Sequence, residues 1–338
     1  MRIYTFSLGD GSGGIEHHAF APEVPGAWGT GATPELALGR CRELVRDERA
    51  AYERLGKPLA PSAGEQIVDW RTAAVFPAFA EELAPATRGH VERALARLRE
   101  LDTQIRAFTA DLSAERWDAA PAEGWSARRV LDHVASGLWV YGHRLDVWPL
   151  DPLEAQRLSL TRLVRRLRSL PQADRARRTE HFGLNRENGR VAWTPRKVVR
   201  VVAVLQDGWI AHLRGGGDAP GAADHADAAA DGEPLPAAEV DRLEERGNEL
   251  VELSRGAPAA GAVPLLYRYY RLRLHEWPAG EEKRWTAVHS WFCERVERQS
   301  ESERALVRLI PNGQLATVRQ VLSLAIAHTR DHLAQMRQ

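Results

Sequence analysis

Cysteine and methionine are nearly missing from this chain, which has two of each among 338 residues. Cys41 and Cys293 are too few to build a disulfide framework, and they fit a reducing compartment. Net charge is missing as well, because 46 Lys and Arg balance 46 Asp and Glu. Without an excess of one sign, the chain has no bulk attraction for nucleic acid or for an anionic membrane. No apolar run is long enough to span a bilayer, and Met1 to Phe6 lack the layout of a signal peptide. These absences lead to the expectation of a soluble, cytoplasmic protein with neither nucleic acid nor membrane as partner. Its length suggests two or three domains. Abundant Ala, Arg and Leu suit helices with charged surfaces, and 11 tryptophans suit bulky packing or pocket linings.

The first sixty or so residues differ in character from the rest. Ile15 to Phe20 reads as a strand after the Gly-rich turn Gly9 to Gly14, and Pro22-Glu23-Val24-Pro25-Gly26 reads as a turn. Thr33-Pro34-Glu35 supplies an N-cap, a proline for the first helical position and an acid near the positive helix end, opening a helix to about Leu55. Ile67 to Phe79 adds a strand or an extended connector, completing a small α+β domain over residues 1–80.

From Thr87 the pattern becomes helical. Val91, Leu95, Leu98, Leu101, Ile105, Phe108 and Leu112 recur three and four apart, the stripe of a helix with one buried face. Ser126 to Asp146, Leu153 to Leu170 and Thr194 to Leu213 add three more helices, grouped with the first as one helical bundle over 85–216. Residues 217–236, rich in Gly, Ala, Asp and Pro without an apolar period, read as a linker. Ala237 to Ser254, Val263 to Trp277, Glu282 to Arg298 and Leu315 to Met336 offer four further helices, a second bundle over 237–338. The expected fold class is an α+β N-terminal domain followed by a mainly α region of one or two four-helix bundles.

Two motifs carry chemistry. His328 and His332 lie one turn apart on the last helix, on the face that also carries Val318, Val321 and Ala325. Positions i and i+4 share a face, so both imidazoles can converge on one ion. Such a pair alone is as often hydrogen-bonded as metallated. The second motif is Gly124-Trp125-Ser126-Ala127-Arg128-Arg129-Val130-Leu131-Asp132-His133-Val134. Ser126 is a good N-cap, and Val130, His133, Gly137 and Val140 follow one stripe, again placing a histidine toward a core.

Together the Gly-Trp-Ser start, the mid-helix His133 and the terminal His-x-x-x-His resemble the DinB/YfiT-like family of metal-binding four-helix bundles, over roughly the last three-quarters of the chain. The resemblance implies a divalent-metal cofactor, a small-molecule substrate and a low-molecular-weight thiol, with thiol transfer or a related hydrolysis as the reaction. Ala21 to Ala37, with Gly56-Lys57-Pro58-Leu59 after the helix, resembles the HicB antitoxin-type fold. That likeness implies a small sheet with a packed helix, related to a ribonuclease-H-like fold without its catalytic carboxylates. No DNA-binding helix-turn-helix is attached, so a module for ligand contact or for homodimer formation is the expectation.

Laid by eye on the last helix, Leu205 to Leu213 places His212 opposite His332 and Gly208 opposite His328. Two allocations of ligands follow. In one, His133 and His212 belong to the first bundle, with Asp207 or a water completing the set. His328 and His332 then belong to the second, completed by His275 or His289, with His275 preferred for its aromatic stretch Tyr267 to Trp277. In the other, His133 joins His328 and His332 in one composite site. The spacing usual in the resembled family favours the first. Three neutral imidazoles that leave positions open suit zinc, nickel or another first-row divalent ion.

No general base is evident beside His328, although Asp331 and Glu276 could orient imidazoles from behind. Cys293, beside Trp291 and Phe292, reads as core. Arg162, Arg165, Arg166 and Arg168 are interleaved with Leu163, Val164 and Leu167, a solvated amphipathic face rather than a nucleic-acid patch. His17 and His18 point to opposite sides of a strand and do not share an ion. The competing function is a non-catalytic scaffold that uses its HicB-like module for association or regulation.

Overall fold

The computed structural model describes residues 1–9, 15–62, 64–73, 77, 79–120, 124–146, 151–182, 190–216, 218, 232–257, 267, 280–309 and 315–337. At the N-terminus, β1 (Arg2–Gly9), β2 (Ile15–Phe20), β3 (Trp28–Gly31) and β4 (Gln66–Ala73) form a sheet in the order β3-β2-β1-β4. β1 runs antiparallel to β2 and parallel to β4, with a register shift at Tyr4 and Thr5. Between β3 and β4, α1 (Pro34–Arg54) opens on Thr33, whose hydroxyl accepts from the Leu36 N–H at 3.3 Å. α1 packs on β2 and β3. Only glycine permits this approach, since a Cβ on Gly29 would lie 2.5 Å from the Ala37 carbonyl oxygen and the Cys41 nitrogen. Ile3, Ala19, Val24, Ala37, Cys41 and Leu44 fill the interface. The region is α+β, as its punctuation predicts, with β1 and β3 as strands that the punctuation did not signal.

Mostly helix follows. After α2 (Ala80–Leu83) come α3 (Arg88–Ala110), α4 (Ala114–Asp118) and α5 (Ala127–His143). The predicted stripe of α3 is buried at Val91, Leu95, Leu98, Leu101 and Ile105. Next come α6 (Pro152–Arg168), the antiparallel pair β5 (Thr179–Phe182) and β6 (Arg190–Trp193), α7 (Pro195–Leu213) and α8 (Ala237–Leu253). Within that stretch α8 packs on α6 and α7 around Leu160, Leu163, Val198, Val202, Leu205 and Leu243. The chain closes with α9 (Glu281–Glu297), α10 (Glu301–Arg304), the short pair β7 (Arg308–Leu309) and β8 (Leu315–Ala316), and α11 (Val318–Met336).

The units formed by these elements are not consecutive in sequence. One comprises Met1–Val147, Trp277–Ile310 and Gln314–Gln338; the other comprises Trp148–Glu276 and Pro311–Gly313. In the first, α3 packs on α11, α11 on α5, α5 on α9 and α9 on α3, closing a cycle of four helices. The expected boundaries 85–216 and 237–338 therefore cut across both units. Apolar periodicity names the buried face of each helix but not the helix that covers it, and the chain leaves the first unit after α5 to build the second before returning with α9. The expected helix Val263 to Trp277, apart from Tyr267, and most of the expected linker lie outside the described residues.

The N-terminal turn grips α11. Gly26 has φ +92°, and a Cβ there would lie 2.5 Å from Ile326 Cγ2. Its N–H donates to Ser323 Oγ at 3.0 Å, and its carbonyl accepts from Arg330 Nη1 at 2.5 Å. Behind this contact Glu48, fully buried, accepts from Arg97 at 2.8 and 3.0 Å and from Arg330 at 3.4 Å. One carboxylate thus ties α1 to α3 and α11. Removing one partner of a buried ion pair strands the other charge, at a cost of about 3–5 kcal/mol. Glu48→Gln is expected to lower the stability to urea by roughly that amount, and a loss below about 1 kcal/mol would contradict the tie.

Glu82 of α2 adds a pH dependence. Its carboxylate accepts from the Phe79 N–H at 3.2 Å, and its backbone carbonyl accepts from Thr317 Oγ1 at 2.7 Å. Burial raises its carboxyl pKa from 4.5 to about 8. A carboxyl held neutral when folded stabilises the protein below its unfolded pKa, and that contribution is lost as pH rises from 4.5 through about 8. Glu82→Gln should therefore gain stability relative to the parent between pH 5 and 8, read from urea midpoints. A difference that stays constant across that range would refute the assignment.

Candidate metal centre

Two helix starts set the phase of the centre. Ser126 caps α5, its hydroxyl accepting from the Arg129 N–H at 3.3 Å, and Thr317 caps α11, accepting from the Gln320 N–H at 3.2 Å. From these starts, helical periodicity carries His133 of α5 to the face that meets α11. It carries His328 and His332 to the face of α11 that buries Val318, Val321 and Ala325.

One ring nitrogen from each of His133, His328 and His332 lies within 4.8 Å of the other two, so the three can hold a metal ion. His328 Nε2 and His133 Nε2 are 3.1 Å apart. Ring centroids are separated by 4.5 Å for His328 and His332, 4.7 Å for His133 and His332, and 5.0 Å for His133 and His328. Two nitrogens bound to one ion at about 2.0–2.1 Å, at angles between square and tetrahedral, lie roughly 2.8–3.4 Å apart. The His133 and His328 nitrogens already have that spacing.

The surroundings favour ligation. A Cβ on Gly137 would sit 2.4 Å from His328 Cε1 and 2.8 Å from its Nδ1, so the missing side chain is what admits the ring. The Trp125 ring lies nearly parallel to His332 at 6.3 Å and edge-on to His133 at 4.9 Å, and the Arg129 guanidinium lies 4.4 Å above that indole. Tyr141 meets His328 edge-on at 5.5 Å. Gln335 Oε1 lies 2.8 Å from His332 Nδ1. An amide oxygen only accepts, so Nδ1 carries the proton and Nε2 presents its lone pair. Among the described residues His328 Nδ1 is buried without a hydrogen-bond partner.

Protonation states agree with this geometry. Burial, reinforced by His332 and His133, holds His328 well below the ordinary imidazole value. Burial also lowers His332, against the opposing effects of Gln335 and Asp331. Neutral imidazole is the form that binds metal. Beside the centre, buried Asp132 pairs with Arg284 of α9, fixing the rotation of α5 next to His133.

The structure brings together His133, His328 and His332, the composite arrangement, and not the favoured separate pairs. The correction has a topological reason: the residues that separate His133 from the terminal pair include the whole of the second unit. His212 lies on α7 in that second unit, edge-on to Trp209 at 5.7 Å, and joins no group of three metal-ligating side chains among the described residues. His289 is buried on α9, where its Nε2 donates to the Leu98 carbonyl at 3.3 Å. His275 and Glu276 lie outside the described residues. Asp331 pairs with Arg330 at 2.7 Å, and Gln335 orients the imidazole in its place. Gln335 was overlooked although its place three residues after His332 is a readable signal. Burial pushes Cys293 up to about 12, keeping it a protonated core thiol. In the sheet, His17 Nδ1 lies 2.9 Å from Ser7 Oγ and His18 Nδ1 accepts from Trp28 Nε1 at 3.2 Å.

No family model, curated protein or solved structure matches the chain. Gly137→Ala should leave far-ultraviolet circular dichroism unchanged while weakening zinc binding at least tenfold, measured by competition with a chromophoric chelator. Unchanged affinity would show that His328 does not need the space at Gly137.

Proposed function

We propose that this chain is a DinB/YfiT-like metalloprotein in which α3, α5, α9 and α11 form a four-helix bundle and His133, His328 and His332 hold one divalent ion, zinc or nickel. The reaction is thiol transfer involving a low-molecular-weight thiol, or a related hydrolysis, on a small-molecule substrate. The observation that carries this reading is the convergence of three half-buried imidazoles, one from α5 and two from α11, where loss of hydration lowers the pKa of His328 and His332 and favours their neutral forms. Three protein ligands leave coordination positions for a substrate, as catalytic rather than structural zinc sites do. When bound, such an ion supplies Lewis acidity that lowers the pKa of a coordinated thiol or water.

The protein's own groups have separable tasks in this account. Gln335 keeps the His332 proton on Nδ1, directing the other nitrogen inward. Trp125 walls the side of His133 and His332, limiting water there, and Arg129 covers the indole. Tyr141, whose burial raises its pKa, remains a hydroxyl donor beside His328. The HicB-like module acts as a brace: through Gly26 it holds α11 at Ser323 and Arg330, on either side of the stretch that leads into His328.

Metal titration tests the reading. Purified protein should bind one equivalent of zinc, nickel or cobalt per chain. His133→Ala, His328→Ala and His332→Ala should each abolish stoichiometric binding, while His212→Ala and His289→Ala retain it. Retention in any of the first three, or failure of the parent to bind, would refute the three-histidine centre.

A further inference from the structure

Beyond His133, α5 carries two polar side chains that metal ligation leaves unused. Tyr141 stands edge-on to His328, and Arg144, the C-cap residue of α5, lies over the Tyr141 ring at 5.3 Å. Eleven residues make three helical turns, so Arg144 and His133 leave the same face of α5. Helical side chains lean toward the N-terminus. The stacking of Arg144 on a ring three positions earlier shows that it does so, carrying its guanidinium along α5 toward the histidines.

The charge on Arg144 is unanswered. Arg97, Arg284, Arg295 and Arg330 all pair with carboxylates. Among the described residues, none pairs with Arg144, whose five N–H donors make no hydrogen bond within the chain. Burial lowers the Arg144 pKa, with only Tyr141 opposing it, yet guanidinium stays charged at any pH a protein tolerates. The Tyr141 hydroxyl is likewise without a partner and keeps its proton. Neither side chain is among the sealed, unpartnered polar groups that include His328 Nδ1, so the polar atoms of both half-buried side chains keep some exposure. An unpaired cation largely withdrawn from water is costly unless an anion from outside meets it. A planar guanidinium fork matches a carboxylate with two parallel hydrogen bonds, and a phenol can add a third.

We propose that Tyr141 and Arg144 form the carboxylate-binding end of a substrate site whose other end is the three-histidine centre. The substrate class is then a small carboxylic acid whose reacting atom lies a few bonds from the carboxylate. One guanidinium supplies one positive charge, which suits this monoanion rather than a phosphate dianion. The inference rests on the metal reading above for the identity of its other end.

The test uses the full chain loaded with cobalt(II), titrated with 3-mercaptopropionate or with 1-propanethiol, following thiolate-to-cobalt charge-transfer absorption. The two thiols share the metal-seeking group and differ in the carboxylate. The parent should bind 3-mercaptopropionate at least about tenfold more tightly, the size of one charged hydrogen-bonded contact. Arg144→Met should erase that preference without changing cobalt uptake or propanethiol affinity, Arg144→Lys should restore part of it, and Tyr141→Phe should reduce it. Equal affinity of the parent for both thiols, or a preference that survives Arg144→Met, overturns the proposal. If the chain takes up no cobalt, the metal reading fails separately. Calorimetric titration with propionate then decides the carboxylate end: binding lost in Arg144→Met upholds it, and no binding overturns it.

Discussion

The approach of α5 to α11 at Gly137 is the constraint on which the candidate centre depends. His328 occupies the space that any side chain at position 137 would fill, so two helices that each carry histidines can come close enough for their rings to meet. With that approach made, helical spacing does the rest: His133 lies one turn before Gly137, and His332 lies one turn after His328. A second glycine holds the other side of α11, where Gly26 of the N-terminal turn closes on Ile326 with the left-handed backbone that glycine adopts readily. α11 is therefore met by two side-chain-free positions from different parts of the chain. Both approaches are set by steric fit, and the one at Gly26 is backed by hydrogen bonds to Ser323 and Arg330.

That fit has an electrostatic counterpart. Three half-buried imidazoles are tolerable while neutral, and a protonated His328 would meet both lost hydration and its two neighbours. Several buried charges of the same unit are answered by partners, as Glu48 is by Arg97 and Arg330 and Asp132 is by Arg284. Arg144, on the same helical face as His133, has no carboxylate partner among the described residues and stacks on Tyr141. The polarity of the unit thus includes pairs that hold helices together and a smaller set along α5 and α11 around the three histidines.

Much of this was legible in the sequence, and the failures have physical reasons. Ser126 and Thr33 announced their helices because an N-cap is a local interaction. His328 and His332 could be placed on a buried face because a period of 3.6 needs no tertiary knowledge. β1 carries no clean alternation: Thr5 and Phe6, the two residues that follow the register shift against β4, are both buried. Linear distance argues against a partnership of His133 with the terminal pair, because sequence alone does not reveal that a second unit occupies the interval. His212, aligned convincingly with His332 along the chain, lies in that second unit. Helical phase tells which way a side chain faces, whereas only the packing tells what it faces.

The central claim is that His133, His328 and His332 form one metal centre. Anomalous diffraction from zinc-soaked crystals, recorded on both sides of the zinc absorption edge, tests it most directly. The account predicts one strong anomalous peak per chain, within about 2.0–2.1 Å of a nitrogen from each of the three rings. A peak held by other residues, or three histidines in well-ordered density with no peak between them, would contradict it.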